Sequence, residues 1–175
     1  MRKHLLFTAA ALTLGFGGVR GSHAEPPSAA VPQGECDSLQ APAGTELAAH
    51  YYASGVQIYR WSDSTWTLVG PDAVLFTDAG RGSKVGTHYA GPTWESADGG
   101  KVVGATARRC VPDSGAIPWL SLRAVSSAES GIFRRVTFIQ RLHTAGGLAP
   151  SAPGRAVGEE ARVRYTAEYF FYRPR

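Results

Sequence analysis

His88, Tyr89, Trp94 and Glu95 fall within ten residues, Gly86-Thr-His-Tyr-Ala-Gly-Pro-Thr-Trp-Glu95, and Asp98 follows three positions later. Imidazole titrates near neutrality and a neighbouring carboxylate can orient it, so His88 with Glu95 or Asp98 could work as a hydrolytic acid/base pair. Trp94 offers a large rigid face on which a sugar or other flat ligand could stack. The two glycines and the proline favour a bend that would gather these groups at one place. The plainer account weighs somewhat more. In it His88 hydrogen-bonds a backbone carbonyl and fixes the turn, Glu95 accepts from backbone amides, and Trp94 packs in a core.

Three more polar side chains interrupt apolar runs. Gln57 and Gln140 must find hydrogen bonds or cost stability, so they either face a ligand cavity or hold each other. Arg141 could clamp a carboxylate bidentately; a structural ion pair with Glu95 or Glu168 is the simpler expectation. Trp119, inside Ile117-Pro-Trp-Leu120, reads as core, and Trp61 and Trp66 flank an Asp-Ser turn as a cross-hairpin pair would.

Several chemistries lack their patterns. Past residue 24 only His50, His88 and His143 remain, with no His-x-His or His-Glu-x-x-His, so no metal site is expected. The Gly80-x-Gly82 stretch lacks both the Lys-Ser ending of a P-loop and the strand-to-helix setting of a dinucleotide fingerprint, so no cofactor is expected. No Gly-x-Ser-x-Gly elbow is present.

The elements that must position these residues are strands. Short apolar alternations around Val56–Ile58, Trp66–Leu68 and Val102–Ala105 are followed by longer runs, Ile117–Val125, Ile132–Leu142 and Val163–Tyr172. Turn compositions punctuate them at Asp63-Ser64, Gly70-Pro71-Asp72, Asp78-Ala79-Gly80, Asp98-Gly99 and Pro112–Gly115. Helical periodicity is almost absent, and Ser126–Gly131 is long enough only for a turn. The pattern predicts one all-β domain over 45–175, a sandwich or barrel of short, mostly antiparallel strands. The last strand, apolar on both faces, should lie centrally. An outer-membrane barrel would need strands of about ten residues, strictly apolar outward; the runs here are shorter and mixed.

Residues 1–24 read as a signal peptide: Arg2 and Lys3, an uncharged run from Leu5 to Gly18, and Ser22-His23-Ala24 before a cut after Ala24. The run is too short to span a membrane, and no second one follows. The full chain is +4, but removing Arg2, Lys3 and Arg20 from eighteen basic residues leaves fifteen against fourteen acids. A nearly neutral chain lacks the clustered basic face that nucleic acid requires, and Arg108-Arg109 and Arg134-Arg135 read as solvated strand edges. Residues 25–44, rich in Pro and Ala, read as a flexible segment. An exported chain with two cysteines, Cys36 and Cys110, is expected to form one disulfide.

Five motifs in order resemble the family catalogued as domain of unknown function 3455. They are Gly55-Val-Gln-Ile-Tyr59, the Gly86–Glu95 stretch, Ala116-Ile-Pro-Trp-Leu120, Val136-Thr-Phe-Ile-Gln-Arg141 with Gly146-Gly147 and Ala149-Pro150, and Tyr165–Tyr172. The resemblance runs from about Leu47 to Tyr172 and implies an exported protein of bacterial or fungal type. It brings no catalytic residue with it. Many members carry cysteines after the first motif and after the Gly-Gly-x-Ala-Pro motif, where this chain has Arg60-Trp61 and Ser151–Gly154. Its disulfide is therefore a different one.

Taken together, the residues favour an exported, secreted or periplasmic, non-catalytic β-domain binding a small molecule, glycan or envelope partner. The binding candidates are His88, Tyr89, Trp94, Glu95, Gln57, Gln140 and Arg141. A small hydrolase built on His88 with Glu95 or Asp98 is the alternative, and a structural role in the envelope is a third.

Overall fold

The computed structural model describes residues 35–175. The expected signal peptide, its cleavage point and the first part of the flexible segment lie outside the described residues.

Eight antiparallel strands close into a barrel in sequence order: β1 (Thr45–Trp61), β2 (Trp66–Phe76), β3 (Lys84–Tyr89), β4 (Thr93–Ser96), β5 (Lys101–Cys110), β6 (Trp119–Ser127), β7 (Phe138–Gly146) and β8 (Glu160–Pro174). The β1–β8 ladder, from Thr45–Pro174 to Arg60–Glu160, closes the ring. Of the two all-β architectures expected, the chain adopts the barrel.

Because successive side chains alternate across a strand, the register assigns the interior layer by layer. Ala49 lies opposite Phe171, Phe171 opposite Ile139, and Ile139 opposite Leu122. One layer further along, Tyr51 meets Tyr169, Tyr169 meets Arg141, and Arg141 meets Leu120. An arginine thus occupies an inward position among aromatic and leucine side chains. The core is packed by Leu75, Trp94, Val102, Leu122, Phe133 and Phe171, all at most 2 % exposed.

β8 is apolar on both faces for a reason the sequence hides. Tyr169 and Phe171 fill the barrel, while Phe170 and Tyr172 point outward and are covered. The cover is the N-terminal segment: Cys36 is bonded to Cys110, and Leu39, in the 3-10 turn Asp37–Leu39, is fully buried with Leu142, Phe170 and Tyr172. The flexible reading of 25–44 therefore does not hold from Cys36 onward. A buried leucine and a covalent tie fix a stretch whose composition looks unstructured.

Two other expectations change. β1 and β8 run for 17 and 15 residues, not as short runs. Gly55 sits mid-strand in β1, where a Cβ would lie 2.2 Å from the Asp72 carbonyl oxygen. Gly70-Pro71-Asp72 is not a turn but part of β2. The ladder with β3 begins only at Asp72–Tyr89, so Pro71 stands at a position unpaired on that side and its missing N–H is tolerated.

Candidate functional site

The Gly86–Glu95 stretch is a hairpin, with β3 and β4 joined by a turn over 90–92. His88 pairs with Trp94, Thr87 with Glu95, and Tyr89 with Thr93. Strand alternation, not a shared bend, decides where each side chain goes. His88 and Trp94 enter the barrel, at 2 % and 1 % exposure. Glu95 stays on the outer surface, accepting a 2.7 Å hydrogen bond from Tyr89 and a 3.1 Å ion pair from Lys101. These two contacts, Tyr89 first, hold its carboxyl below the usual range.

The acid/base pair is thereby corrected: His88 and Glu95 lie on opposite faces of the wall. Asp98 does not replace Glu95. Its carboxylate accepts from the Ser96 hydroxyl, from Gly100 N–H at 3.0 Å and from Ile132 N–H at 2.8 Å, and so ties the β4–β5 turn to the β6–β7 loop. Those donors, the Ser96 hydroxyl foremost, keep Asp98 ionised below its ordinary range.

His88 stacks on Trp94 with ring centroids 4.4 Å apart, and Tyr169 meets both rings edge-on. Its Nδ1 lies 2.8 Å from the Thr93 carbonyl oxygen. A carbonyl only accepts, so Nδ1 carries the proton. Burial pushes the imidazole down to about 3, and the Arg141 charge adds to this against the opposing Thr93 hydrogen bond. The ring is therefore neutral at ordinary pH, with Nε2 as a bare acceptor.

A cavity of about 230 Å³ opens at the barrel end that carries the β3–β4 turn. His88, Trp94, Gln57, Arg141 and Tyr169 line it. Its rim includes Leu68 and Val69, which are 52 % and 42 % exposed. Three of the lining residues bury a polar atom with no protein partner: Gln57 Nε2, Trp94 Nε1 and the Tyr169 hydroxyl. The buried Tyr165 hydroxyl has none either. Polar contacts run from it to Tyr169 and from Tyr169 to the Arg141 side chain, but neither hydroxyl meets full hydrogen-bond geometry. Burial raises both phenols, so they remain protonated donors.

Arg141 makes neither of the ion pairs expected of it. Glu95 is held by Lys101, and Glu168 on the outer face bridges His50 at 2.7 Å and His143 at 3.0 Å. Arg141 instead donates from Nε and Nη2 to the Pro118 carbonyl, at 3.1 and 2.8 Å. The hydrogen bonds fix the guanidinium but leave its charge unneutralised.

The seven binding candidates divide between the two faces of the wall. His88, Trp94, Gln57 and Arg141 converge on the cavity, while Gln140 lies on the other side of the wall. Its Nε2 donates to the Leu39 carbonyl at 2.6 Å and its Oε1 accepts from the Tyr172 hydroxyl at 2.9 Å. The glutamines therefore do not hold each other. Tyr89 and Glu95 are outside as well. Sequence reasoning missed Tyr165 and Tyr169, although period-two alternation puts Tyr165, Ala167, Tyr169 and Phe171 on one face, where each inward hydroxyl needs a partner.

The family model for Protein of unknown function (DUF3455) matches residues 42–173. The chain belongs to this family. The DUF3455 match begins just before β1 and ends one residue before the end of β8, so it covers all eight strands but for Pro174, and every cavity residue. It leaves out Cys36 and the 3-10 turn that covers β8. No curated protein and no solved structure matches the chain.

Proposed function

We propose that this DUF3455 barrel is an exported binding module that receives a small solute in the cavity at its β3–β4 end. The carrying observation is that three residues lining the cavity each bury a polar atom with no hydrogen-bond partner among the described residues: Gln57 Nε2, Trp94 Nε1 and the Tyr169 hydroxyl. Burying such an atom unpaired costs about 1–3 kcal/mol, so three on one wall are best accounted for by a ligand that supplies acceptors. At about 230 Å³ the cavity falls below the ~300–1,000 Å³ of drug-sized pockets. This favours a compact molecule over a glycan chain.

A binding role is favoured over hydrolysis because the carboxylates that the hydrolase needs are on the outer surface, engaged in structural hydrogen bonds. Export is supported by the Cys36–Cys110 disulfide, which persists in oxidising compartments. None of the described helices is long and apolar enough to cross a membrane. The outer face of the barrel also carries Arg162 paired with Asp72 and Glu168 with His50 along its strands. Such charges are costly against lipid, which favours an aqueous setting for the barrel.

Thr106 lies exposed at the cavity edge, and Thr106→Trp should plug the mouth without disturbing the core. Ligand screening by tryptophan fluorescence and thermal shift should find solutes that bind the wild type and not this variant. A solute that binds both equally is bound elsewhere and would refute the cavity assignment.

A further inference from the structure

We infer that the ligand is a small organic carboxylate, its charge taken by the Nη1 edge of Arg141 and its oxygens by the unpartnered donors beside it. The inference rests on the cavity being the binding site and names what it selects.

Charge makes the first part of the case. Arg141 is the only Lys, Arg, Asp or Glu among the residues lining the cavity. Its inward position follows from the register, between Leu120 on β6 and Tyr169 on β8. No acid pairs with it among the described residues; its Nε and Nη2 are spent on the neutral Pro118 carbonyl. A part-buried cation without a counter-charge is costly. Its charge reaches Tyr59, His88, Tyr165 and Tyr169, so it sets the potential of this end of the barrel. An entering anion would be compensated there and nowhere else on the wall.

The second part is the donor inventory. The Gln57 amide, the Trp94 indole N–H and the Tyr169 hydroxyl can all donate, and none has a protein acceptor. Three donors beside a guanidinium suit a group that only accepts, and an ionised carboxylate accepts at about four lone-pair sites. Apart from His88 and Thr106, the remaining side chains of the lining are apolar: Leu120, Leu122, Pro71, Pro92 and the exposed collar of Leu68 and Val69. That wall has nothing for the far end of a fully hydrated inorganic anion, and it favours a carboxylate with an apolar body. The Nε and Nη2 contacts to Pro118 leave one edge of the fork, so Arg141 presents a single edge rather than the bidentate clamp expected from sequence.

The test uses matched probes on the full chain: benzoate against benzamide and benzyl alcohol, and hexanoate against hexanamide, followed by calorimetry and tryptophan fluorescence. The carboxylates should bind about tenfold or more tightly than their neutral partners, and their affinity should fall with added salt. Arg141→Gln should lower carboxylate affinity to that of the matched neutral probes, so that the preference is lost. Arg141→Lys, which keeps the charge, should restore part of the preference and guards against a folding defect in the glutamine variant. Equal binding of carboxylates and amides by the wild type would overturn the carboxylate assignment and leave the binding barrel standing. Failure of all five probes at millimolar concentration would overturn both.

Discussion

His88 and Trp94 lie face to face across the β3–β4 hairpin, ring planes 5° from parallel, both buried inside the barrel. Burial keeps the imidazole of this stack neutral. It lowers the folded-state value to about 3, whereas in the unfolded chain the ring titrates near its ordinary 6.5. Between those limits the unfolded chain binds a proton that the folded chain refuses. Stability is therefore fully present above the unfolded value and is lost as pH falls, by up to roughly 1.4 kcal/mol per pH unit. The Glu95 and Asp98 carboxyls are also held down, but they add to the loss only below about pH 5. Calorimetric melting over this range should show a midpoint that declines from just below neutrality. His88→Gln should flatten the upper part of the profile; an unchanged slope in that variant would assign it to another group.

Tyr59 links two of the sequence motifs. Its buried hydroxyl donates to the Gly147 carbonyl at 2.6 Å, joining the end of Gly55-Val-Gln-Ile-Tyr59 to the Gly146-Gly147 pair. Gly147 has φ +81, and a Cβ there would come 2.8 Å from the Tyr165 Cβ, so this backbone turns where only glycine fits easily. Tyr59→Phe keeps the packing and removes the donor, leaving a carbonyl unsatisfied. The expected loss is about 1–2 kcal/mol in urea denaturation with an unchanged m-value.

How much of this was legible depends on which side of the wall a residue occupies. Alternation and turn residues are local signals, and they were sufficient for the all-β class and the Trp61–Trp66 hairpin pair, now seen at 5.3 Å. Placing Trp119 in the core is only partly supported: it is half-buried on the outside, edge-on to His143 at 5.1 Å. The split of His88 and Trp94 from Tyr89 and Glu95 follows from period two once the stretch is read as a hairpin. Reading it as a bend put all four together. The partners of Arg141 and Gln140 could not be read, because they depend on long-range closure. Pro118 reaches Arg141 from the loop before β6, and Leu39 reaches Gln140 across 101 residues.

Gly55 tests barrel closure directly. Its α-carbon lies where β1 and β2 run so close that a Cβ would meet Asp72 O at 2.2 Å and Ala73 Cα at 2.4 Å. Both neighbours are backbone atoms of a paired strand, so neither can move without breaking the ladder. Gly55→Ala, a change that elsewhere in a strand helps, should here destabilise by about 1–3 kcal/mol as overpacking does. Gly99→Ala is an internal comparison: there φ is +83 but nothing lies within 4 Å, so its cost is conformational alone and should be about 1 kcal/mol. Thermal denaturation of the two variants ranks the effects, and equal losses would mean that the β1–β2 approach is looser than described.

The Cys36–Cys110 bond should matter for more than its own closure. It ties residues 74 apart, which on the chain-entropy model is worth about 4 kcal/mol. It also holds the 3-10 turn against β7 and β8, where the Leu39 carbonyl takes the Gln140 amide and Gln140 in turn accepts from Tyr172. Burial has pushed the Tyr172 phenol up to about 12. In the Cys36→Ser/Cys110→Ser double variant the segment loses its anchor, Leu39 leaves Phe170, and the outer face of β8 is uncovered. Chemical denaturation should show the loss of stability, and spectrophotometric titration should show one tyrosine moving down toward its ordinary range of about 10. If the stability falls while that phenol stays where it is, the turn remains docked on Leu39 packing alone.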